Sequence, residues 1–353
     1  MTTVPAQPTA LPPLPAQPED VSWPTRDWPT ADLPAEVDAA ALARIVRAFA
    51  DLPEGDGVTD AVLVVHRGRI VLEHYGPEAD AESTLQSWSM AKSMLHALVG
   101  MLVLDGRVDP DAPLAAPEWQ AAGDPRAAIT WRDALRMRPG LAFAEEYEDA
   151  GGSDVIEMLW GSGRDDIARF AADKPLLHPP GTHFNYSSGT SNIIARAVGE
   201  IVGGGEAGMR AFMRARLFEP LGMTSPLPKF DARGTWKGSS FCFCTARDFA
   251  RFGLLYLRDG VWAGSRLLPE GWVDDARTPT HRTDEEAYGS HWWVDHVEPR
   301  RFFASGYEGQ RILVAPDEDL LAIRLGRTPN ERAKVLLRRL HEVPTLFPAL
   351  TAG

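Results

Sequence analysis

The stretch "LQSWSMAKSMLHALVGMLVLDG", residues 85–106, is an apolar run that only a lysine, a serine and a histidine interrupt after Ser89. A run of this kind predicts a buried helix, and Gly106 is of the residue type that commonly ends one. A lysine inside such a helix is unusual, because an ammonium group removed from water is costly unless it is paired or loses its proton. One explanation is that the Lys92 side chain reaches back to solvent. The other is that Lys92 is held close to neutral so that it can activate Ser89, one turn earlier.

Ser89, Met90, Ala91 and Lys92 form an S-x-x-K motif. Residues three apart on a helix share a face, so the two polar side chains can approach hydrogen-bonding distance. A serine hydroxyl is a weak nucleophile until a neighbour accepts its proton, and a desolvated lysine with a lowered pKa can do so. The sequence contains no G-x-S-x-G, H-E-x-x-H or P-loop motif. The motif therefore predicts covalent catalysis by Ser89.

Composition limits the partners and the location. The chain has 353 residues and a net charge of −13, which argues against nucleic acid and anionic membranes as partners. The Pro-rich beginning is typical of neither a signal peptide nor a membrane anchor, and no apolar run is long enough to cross a bilayer. Cys242 and Cys244 are predicted to be buried free thiols, without the spacing of a zinc site. Together these features predict a soluble, cytoplasmic protein.

The predicted strands cluster at both ends of the chain. A helix is predicted over residues 35–52, and a hairpin over 61–76 around Arg67-Gly68. Strand patterns return near residue 290, with a second hairpin around residues 317–319 and a closing helix over 330–343. Neither end has enough strands for a stable sheet alone. We therefore predict the α/β (α+β) class, with one mainly antiparallel sheet built from both ends and the first and last helices packed on it.

The middle of the chain is mostly helical in pattern and is predicted to form an inserted domain. The expected division is a Pro-rich arm over 1–34, a discontinuous α/β sheet domain over 35–86 and 236–345, and a helical domain over 87–235. A site is expected in the cleft between the two larger domains.

Two further segments carry candidate site residues. In "PPGTHFNYSSG" (179–189), Tyr186 lies between a Pro-Gly turn and an amphipathic helix, where a phenol can act as an acid or a base. In "RRFFASGYEGQRILVAP" (300–316), Ser305 and Gly306 end a strand, and glycine there permits close approach to a ligand. The simpler interpretations are a core tyrosine and an ordinary tight turn.

The order and spacing of these elements resemble the serine β-lactamase and penicillin-recognising superfamily, which carries S-x-x-K, a Tyr-x-Asn-like element and a K-T-G-like element. The corresponding positions here are Ser89–Lys92, Tyr186–Ser188 and Ala304–Gly306. The closer likeness is to class C β-lactamases, family VIII carboxylesterases and 6-aminohexanoate-dimer (nylon oligomer) hydrolases. It extends over residues 60–330 and implies a β-lactamase/transpeptidase-like fold.

The resemblance implies roles for individual residues. Ser89 would attack a carbonyl carbon and form an acyl-enzyme, with Lys92 and Tyr186 as the proton-transfer system. Tyr186 would be the general base and later the proton donor to the leaving group. The backbone N–H groups of Ser89 and Tyr307 would form the oxyanion hole. Water would then hydrolyse the acyl-enzyme, with no metal or other cofactor.

Departures from the family pattern bear on the substrate. Ser188 stands where the family has asparagine, and Ala304 stands where β-lactamases use a lysine to recognise the substrate carboxylate. The loss of that lysine favours a serine hydrolase acting on a small-molecule ester or linear amide. The alternatives are a β-lactamase or D-amino-acid peptidase, and a non-catalytic binding protein on the same fold.

Four residues are predicted to bind substrate: Ser188, Ser305, Gly306 and Tyr147. For Tyr147 the alternative is a surface tyrosine beside acidic residues. The sequence makes no prediction of oligomeric state.

Overall fold

The computed structural model describes residues 11–147, 152–284, 287–296 and 300–350. Its helices are α1 (Ala39–Ala50), α2 (Met90–Leu104), α3 (Trp131–Leu135), α4 (Asp154–Leu159), α5 (Ile167–Ala172), α6 (Ser188–Val202), α7 (Gly205–Met213), α8 (Glu219–Leu221), α9 (Ala246–Leu257), α10 (Trp272–Arg277) and α11 (Asn330–Leu340). Its strands are β1 (Val58–His66), β2 (Arg69–Tyr75), β3 (Leu227–Pro228), β4 (Cys242–Phe243), β5 (Val261–Trp262), β6 (Ser265–Arg266), β7 (His281–Arg282), β8 (Ala287–Tyr288), β9 (Trp293–Val294), β10 (Phe302–Gly306), β11 (Gln310–Ala315) and β12 (Leu320–Arg327).

One antiparallel sheet joins the two ends of the chain, as predicted. Its strand order is β2-β1-β12-β11-β10-β9-β8-β7, and β1 pairs with β12 from Val58 opposite Arg327 to His66 opposite Leu320. The predicted first hairpin turns at Arg67 and Gly68, both of which have positive φ angles (49° and 73°). The second hairpin joins β11 to β12 through Asp319, whose φ is 46°. These left-handed turn residues match the right-handed twist of the flanking strands.

Helices cover both faces of the sheet. The first and last helices pack on one face, where Leu42, Phe49 and Leu340 share a buried cluster with Leu313 and Leu320 of the sheet. On the other face, α2 and α9 form a larger core with the sheet. Successive side chains of a strand point to opposite faces, so neighbouring residues of one strand belong alternately to the two clusters. The α/β (α+β) prediction is confirmed in this arrangement.

The helix that contains Lys92 begins at Met90, and Gly106 follows its end with a φ of 67°, as the sequence indicates. Ser89 is its N-cap residue, but the Ser89 hydroxyl makes no capping hydrogen bond to the helix backbone. Lys92 is only 2% exposed, so the lysine does not reach solvent. The hydroxyl of Ser89 is thus left available for another partner.

Some elements differ from the predictions. In the predicted helical middle of the chain, residues 206–222 have the pattern of one helix, but a π-helix at Arg214–Phe218 interrupts it. Pro220 follows this wide turn, and because proline has no N–H the regular hydrogen-bond pattern cannot continue there. The strand predicted in "SHWWVDH" (290–296) is reduced to Trp293–Val294.

The described part of the Pro-rich segment, residues 11–34, lies against the folded chain without forming a helix, and it turns at residues 19–20 and 24–25. Buried arginines donate to its backbone carbonyls: Arg251 to Pro24 (2.7 Å), Arg258 to Pro15 (3.3 Å) and Arg277 to Pro12 (2.6 Å). The division into domains predicted from the sequence stays a prediction.

Two smaller predictions can be compared with the structure. Cys242 and Cys244 are buried free thiols, with their Sγ atoms 3.8 Å apart. Across the described ranges, no helix is both long enough and apolar enough to cross a membrane.

Candidate active site

Lys92 and Ser89 meet as the S-x-x-K spacing predicts. The Lys92 Nζ atom donates to Ser89 Oγ at 3.0 Å, to Ser188 Oγ at 2.9 Å and to the Ser239 carbonyl oxygen at 3.0 Å. Ser188 is the first residue of α6, and Ser239 precedes β4. Three acceptors from three segments therefore hold the amine at the start of α2, against the predicted nucleophile.

Burial lowers the pKa of Lys92 to about 8, while the nearby charge of Glu145 opposes this shift. An ordinary lysine titrates near pH 10.4, so a far larger fraction of this side chain is neutral at physiological pH. A neutral amine has a lone pair that can accept the Ser89 proton. The geometry and the lowered pKa together favour activation of Ser89 over a lysine that merely fills space.

Glu145 completes the polar network and was not predicted from the sequence. Its Oε1 atom accepts from Ser188 Oγ at 2.5 Å, and its Oε2 atom accepts from the Ser188 backbone N–H at 2.7 Å. The carboxylate therefore sits at the N-terminus of the 15-residue helix α6, where negative charge is favourable. Burial raises the pKa of Glu145, and the charge of Lys92 opposes that rise. A continuous chain of hydrogen bonds runs from Glu145 through Ser188 and Lys92 to Ser89.

Removal of the Glu145 charge is expected to change the pH dependence of activity. Because that charge raises the pKa of Lys92, Glu145→Gln should lower this pKa further below about 8. The rise of kcat/KM with pH, measured from pH 5 to 10, should then move to lower pH. Glu146→Gln, at the exposed neighbouring position, is the matched control and should leave the profile in place. An unmoved profile in Glu145→Gln, or equal shifts in both variants, would contradict this coupling.

Tyr186 lies beside the same network. Lys92 Nζ is 4.9 Å from the centre of the Tyr186 ring, which also packs against Trp293 (5.2 Å) and Tyr288 (5.8 Å). Burial, followed by the charge of Glu145, raises the pKa of Tyr186, and a hydrogen bond with Ser89 opposes the shift. A phenol with a raised pKa remains protonated, which favours Tyr186 as a proton donor in the resting enzyme. Its predicted role as general base stays a prediction.

The end of β10 approaches the segment before Ser89 very closely. A Cβ atom on Gly306 would lie 2.5 Å from the Ser87 carbonyl oxygen, so only glycine permits this contact. Tyr307 follows directly, and its ring packs against that of Trp88, the residue before Ser89, at 5.3 Å. The predicted oxyanion hole, formed by the N–H groups of Ser89 and Tyr307, is compatible with this arrangement.

The predicted substrate-binding residues lie in different surroundings. Ser188 is fully buried and belongs to the hydrogen-bonded chain, while Tyr147 stacks on Tyr307 (4.7 Å) and its hydroxyl lies 3.4 Å from Glu145 Oε1. The Ser305 hydroxyl accepts a hydrogen bond from Arg311 Nη2 at 3.1 Å. Because successive side chains of a strand point to opposite faces of the sheet, the Ser305 side chain lies on one face and the Ala304 side chain on the other. A role for Ser305 in binding substrate stays a prediction without a contact to the network.

Two strained residues flank the predicted oxyanion hole. Trp88 precedes Ser89 with a φ of 44°, and Glu308 follows Tyr307 with a φ of 61°. Non-glycine residues rarely adopt this left-handed conformation, and strain of this kind is concentrated at functional sites. The Trp88 Nε1–H group donates to Glu308 Oε2 at 3.0 Å, so the two strained residues are joined by their side chains.

Glu308 offers a test of whether this contact positions the backbone donors. Glu308→Gly relieves the left-handed strain, so we expect it to be as stable as the wild type within about 1 kcal/mol. It loses the bond to Trp88, so kcat should fall about tenfold with little change in KM. Glu308→Gln keeps an acceptor oxygen and should retain most of the activity. Equal kcat values in the two variants would show that the contact does not position the site; urea unfolding and ester hydrolysis supply the measurements.

Sequence reasoning missed Glu145, the Ser239 carbonyl and the Trp88–Glu308 contact. The acidic segment that contains Glu145 stands out in the sequence, but nothing in it shows which carboxylate folds towards Ser188. Among the residues that the structure describes, no group of three or more His, Cys, Asp or Glu side chains is arranged to hold a metal ion.

Comparisons with known proteins identify the family of the chain. The family model described as Beta-lactamase matches residues 42–343. A 6-aminohexanoate-dimer hydrolase of Paenarthrobacter ureafaciens is 26% identical over 293 residues, covering 77% of this chain and 73% of that protein.

Solved structures show the same fold. A putative 6-aminohexanoate-dimer hydrolase from Bacillus anthracis matches with a TM-score of 0.73 and 20% identity, covering 95% of this chain and 90% of that one. A penicillin-binding protein from Bacillus halodurans matches with a TM-score of 0.62 and 17% identity, covering 80% and 95%. Since the family model covers most of the chain and includes the S-x-x-K helix, this protein belongs to the beta-lactamase family and is a serine hydrolase.

Proposed function

We propose that this enzyme hydrolyses small carboxylic esters and linear amides through an acyl-enzyme on Ser89. The observation that carries the proposal is the contact of 3.0 Å between Lys92 Nζ and Ser89 Oγ, made by a lysine that is only 2% exposed. A lysine in that position has a chemical use if Ser89 must lose a proton. A scaffold protein would have no need of it, which disfavours the non-catalytic alternative.

In the proposed acylation step, neutral Lys92 accepts the Ser89 proton as Ser89 Oγ bonds to the substrate carbonyl carbon. The carbonyl oxygen becomes negatively charged and is stabilised by the backbone N–H groups of Ser89 and Tyr307. The tetrahedral intermediate collapses when the bond to the leaving group breaks, and Tyr186 donates a proton to that group. The proton held by Lys92 then restores the phenol.

Deacylation repeats these steps with water as the nucleophile. Lys92 accepts a proton from the water as its oxygen bonds to the acyl carbon. The bond between that carbon and Ser89 Oγ breaks, and the proton returns to Ser89. The products are a carboxylic acid and the alcohol or amine released earlier.

Ala304, at the position of the K-T-G-like element, supports an ester or a linear amide as the substrate, rather than a β-lactam or a peptide with a free carboxylate. Ala304 is 1% exposed and carries no charge, whereas the family's β-lactamases use a lysine there to bind the substrate carboxylate. The curated relative is named for hydrolysis of 6-aminohexanoate dimer, a linear amide, which fits the same substrate class.

A substrate panel tests the proposal. p-Nitrophenyl butyrate, 6-aminohexanoate dimer and nitrocefin are each incubated with wild type and with Ser89→Ala. We expect hydrolysis of the ester, the amide or both by wild type, little turnover of nitrocefin, and none of these activities in Ser89→Ala. Nitrocefin turnover comparable to that of the ester would favour a β-lactamase. Activity that survives in Ser89→Ala would place the chemistry elsewhere.

The proposed partner is the small-molecule substrate alone, since a net charge of −13 disfavours nucleic acid. The cytoplasmic location stays a prediction, and the two buried free thiols are compatible with it.

A further inference from the structure

Five aromatic side chains form a continuous surface beside Ser89, here called the aromatic wall: Trp88, Tyr147, Trp160, Phe241 and Tyr307. Tyr147 stacks on Tyr307 with ring centres 4.7 Å apart, and Tyr307 meets Trp88 edge to face at 5.3 Å. Trp88 in turn contacts Phe241 at 5.7 Å and Trp160 at 6.3 Å. Each of these distances lies within the range of favourable aromatic pairs.

The wall begins at the reacting atoms. Trp88 is bonded to Ser89 through the chain, and Tyr307 carries one of the two N–H groups predicted for the oxyanion hole. From there the rings run outward to Trp160, which is 48% exposed. A substrate whose carbonyl oxygen lies in that hole would have the wall directly beside it.

The aromatic wall is partly exposed to solvent, and Trp160 is its most exposed member. All five rings are partly accessible to solvent, and the other large hydrophobic side chains as exposed as Trp160 in the described segments are aliphatic. Contiguous apolar surface of this kind marks binding sites on soluble proteins. None of the five side chains carries a charge, so the wall fits an uncharged, apolar group.

The conformation of Trp88 gives a second, independent reason to assign a ligand to this surface. Its left-handed φ of 44° is unfavourable for a side chain with a Cβ atom, and a hydrogen bond to Glu308 fixes the orientation of its indole ring. A strained residue whose ring is also fixed in place beside the nucleophile is typical of a binding surface that must be preorganised.

The position of Tyr186 relative to the aromatic wall indicates which part of the substrate contacts the wall. The ring neighbours of Tyr186 are Tyr288 and Trp293, which are not members of the wall. In the proposed mechanism Tyr186 protonates the leaving group, so the leaving group lies on that side. In that mechanism the acyl group would lie on the other side of the scissile bond and extend from Ser89 over the aromatic wall.

We infer that the aromatic wall is the acyl-binding subsite and that it selects esters and amides of aryl-bearing carboxylic acids, such as arylacetic acids. The inference rests on the proposed function. It adds a substrate class that the linear aliphatic dimer named for the relative does not suggest.

Hydrolysis of two methyl esters tests the inference, because their leaving group is the same. In a pH-stat, wild type should have a kcat/KM for methyl phenylacetate about tenfold or more above that for methyl acetate, as one well-formed aromatic contact predicts. Trp160→Ala should reduce that ratio about tenfold, mainly through KM for the aryl ester, and Trp160→Phe should restore part of it. Val335→Ala, an exposed apolar position on α11, is the matched control and should keep the wild-type ratio.

Binding of the product acids separates this inference from the proposed function. By isothermal titration calorimetry, phenylacetate should bind wild type about tenfold more tightly than acetate does, and Trp160→Ala should remove the difference. Lack of ester hydrolysis together with this binding pattern would count against the proposed function and support the subsite. Equal binding of the two acids, or a preference that persists in Trp160→Ala, would overturn the subsite even if both esters are hydrolysed.

Discussion

Ser89→Ala, Lys92→Met and the double variant are each expected to lower kcat/KM for an ester by about 10³- to 10⁵-fold. In the proposed mechanism Ser89 supplies the nucleophile and Lys92 accepts its proton, so either loss blocks the same step. The losses should therefore not add, and the double variant should resemble the single ones. Methionine suits position 92 because the surrounding residues of α2 are apolar and buried.

The control for Lys92→Met is Lys334→Met, at an exposed position of α11, which should retain wild-type activity. Lys92→Arg is a stricter comparison, because arginine keeps a positive charge but does not lose its proton near neutral pH. It should be as impaired as Lys92→Met. Activity within tenfold of wild type in either variant at position 92 would refute the role given to the amine.

The pH profile follows from the same residue. The pKa of Lys92 is lowered to about 8, so the neutral form increases as the pH rises through that value. The kcat/KM of the wild type should therefore rise between pH 7 and 9 and then level off, until other groups titrate.

Asp319→Asn is expected to reduce the free energy of unfolding by about 3 to 5 kcal/mol, the range for a buried charge that loses its partner. Arg258 Nη1 and Asp319 Oδ1 lie 2.5 Å apart, with side chains only 1% and 3% exposed. Asparagine tolerates the left-handed conformation at this turn, so the substitution removes the charge without adding backbone strain. Urea unfolding, followed by circular dichroism, measures the change.

Asp317→Asn is the matched control, two residues earlier in the same turn. Asp317 pairs with Arg300, but the two side chains are 29% and 50% exposed, so screening by solvent should limit the loss to about 1 kcal/mol. Equal losses of unfolding free energy in Asp319→Asn and Asp317→Asn would show that the buried Arg258–Asp319 pair stabilises the fold no more than the exposed pair does. Since Arg258 also donates to Gln17 Oε1 and to the Pro15 carbonyl oxygen, Asp319→Asn should also make residues 11–34 more sensitive to protease.

The parts of the fold that follow from local patterns were predictable. The turn at Arg67-Gly68, the burial of the helix after Ser89 and the strands at both ends each have a local signature, and they suffice to predict one sheet shared between the ends. The S-x-x-K spacing likewise predicts contact between Ser89 and Lys92, because both lie on one face of one turn. These predictions need no knowledge of how distant segments pack.

Contacts between distant segments were not predictable. Glu145 reaches Ser188 from a loop 43 residues earlier, and Trp88 meets Glu308 across 220 residues of sequence. Neither contact leaves a pattern in the sequence, because an acidic loop residue and an ordinary tryptophan look the same with or without a distant partner. The packing of residues 11–34 also depends on arginines whose burial is decided only in three dimensions.

The central claim is that Ser89 is an activated nucleophile, and covalent labelling tests it most directly. The protein is treated with a fluorophosphonate probe, digested and analysed by peptide mass spectrometry. We expect a single adduct on the peptide that contains Ser89, absent from Ser89→Ala and strongly reduced in Lys92→Met, with a labelling rate that increases as the pH rises through about 8. No adduct on wild type, or an adduct on a different residue, would contradict the account.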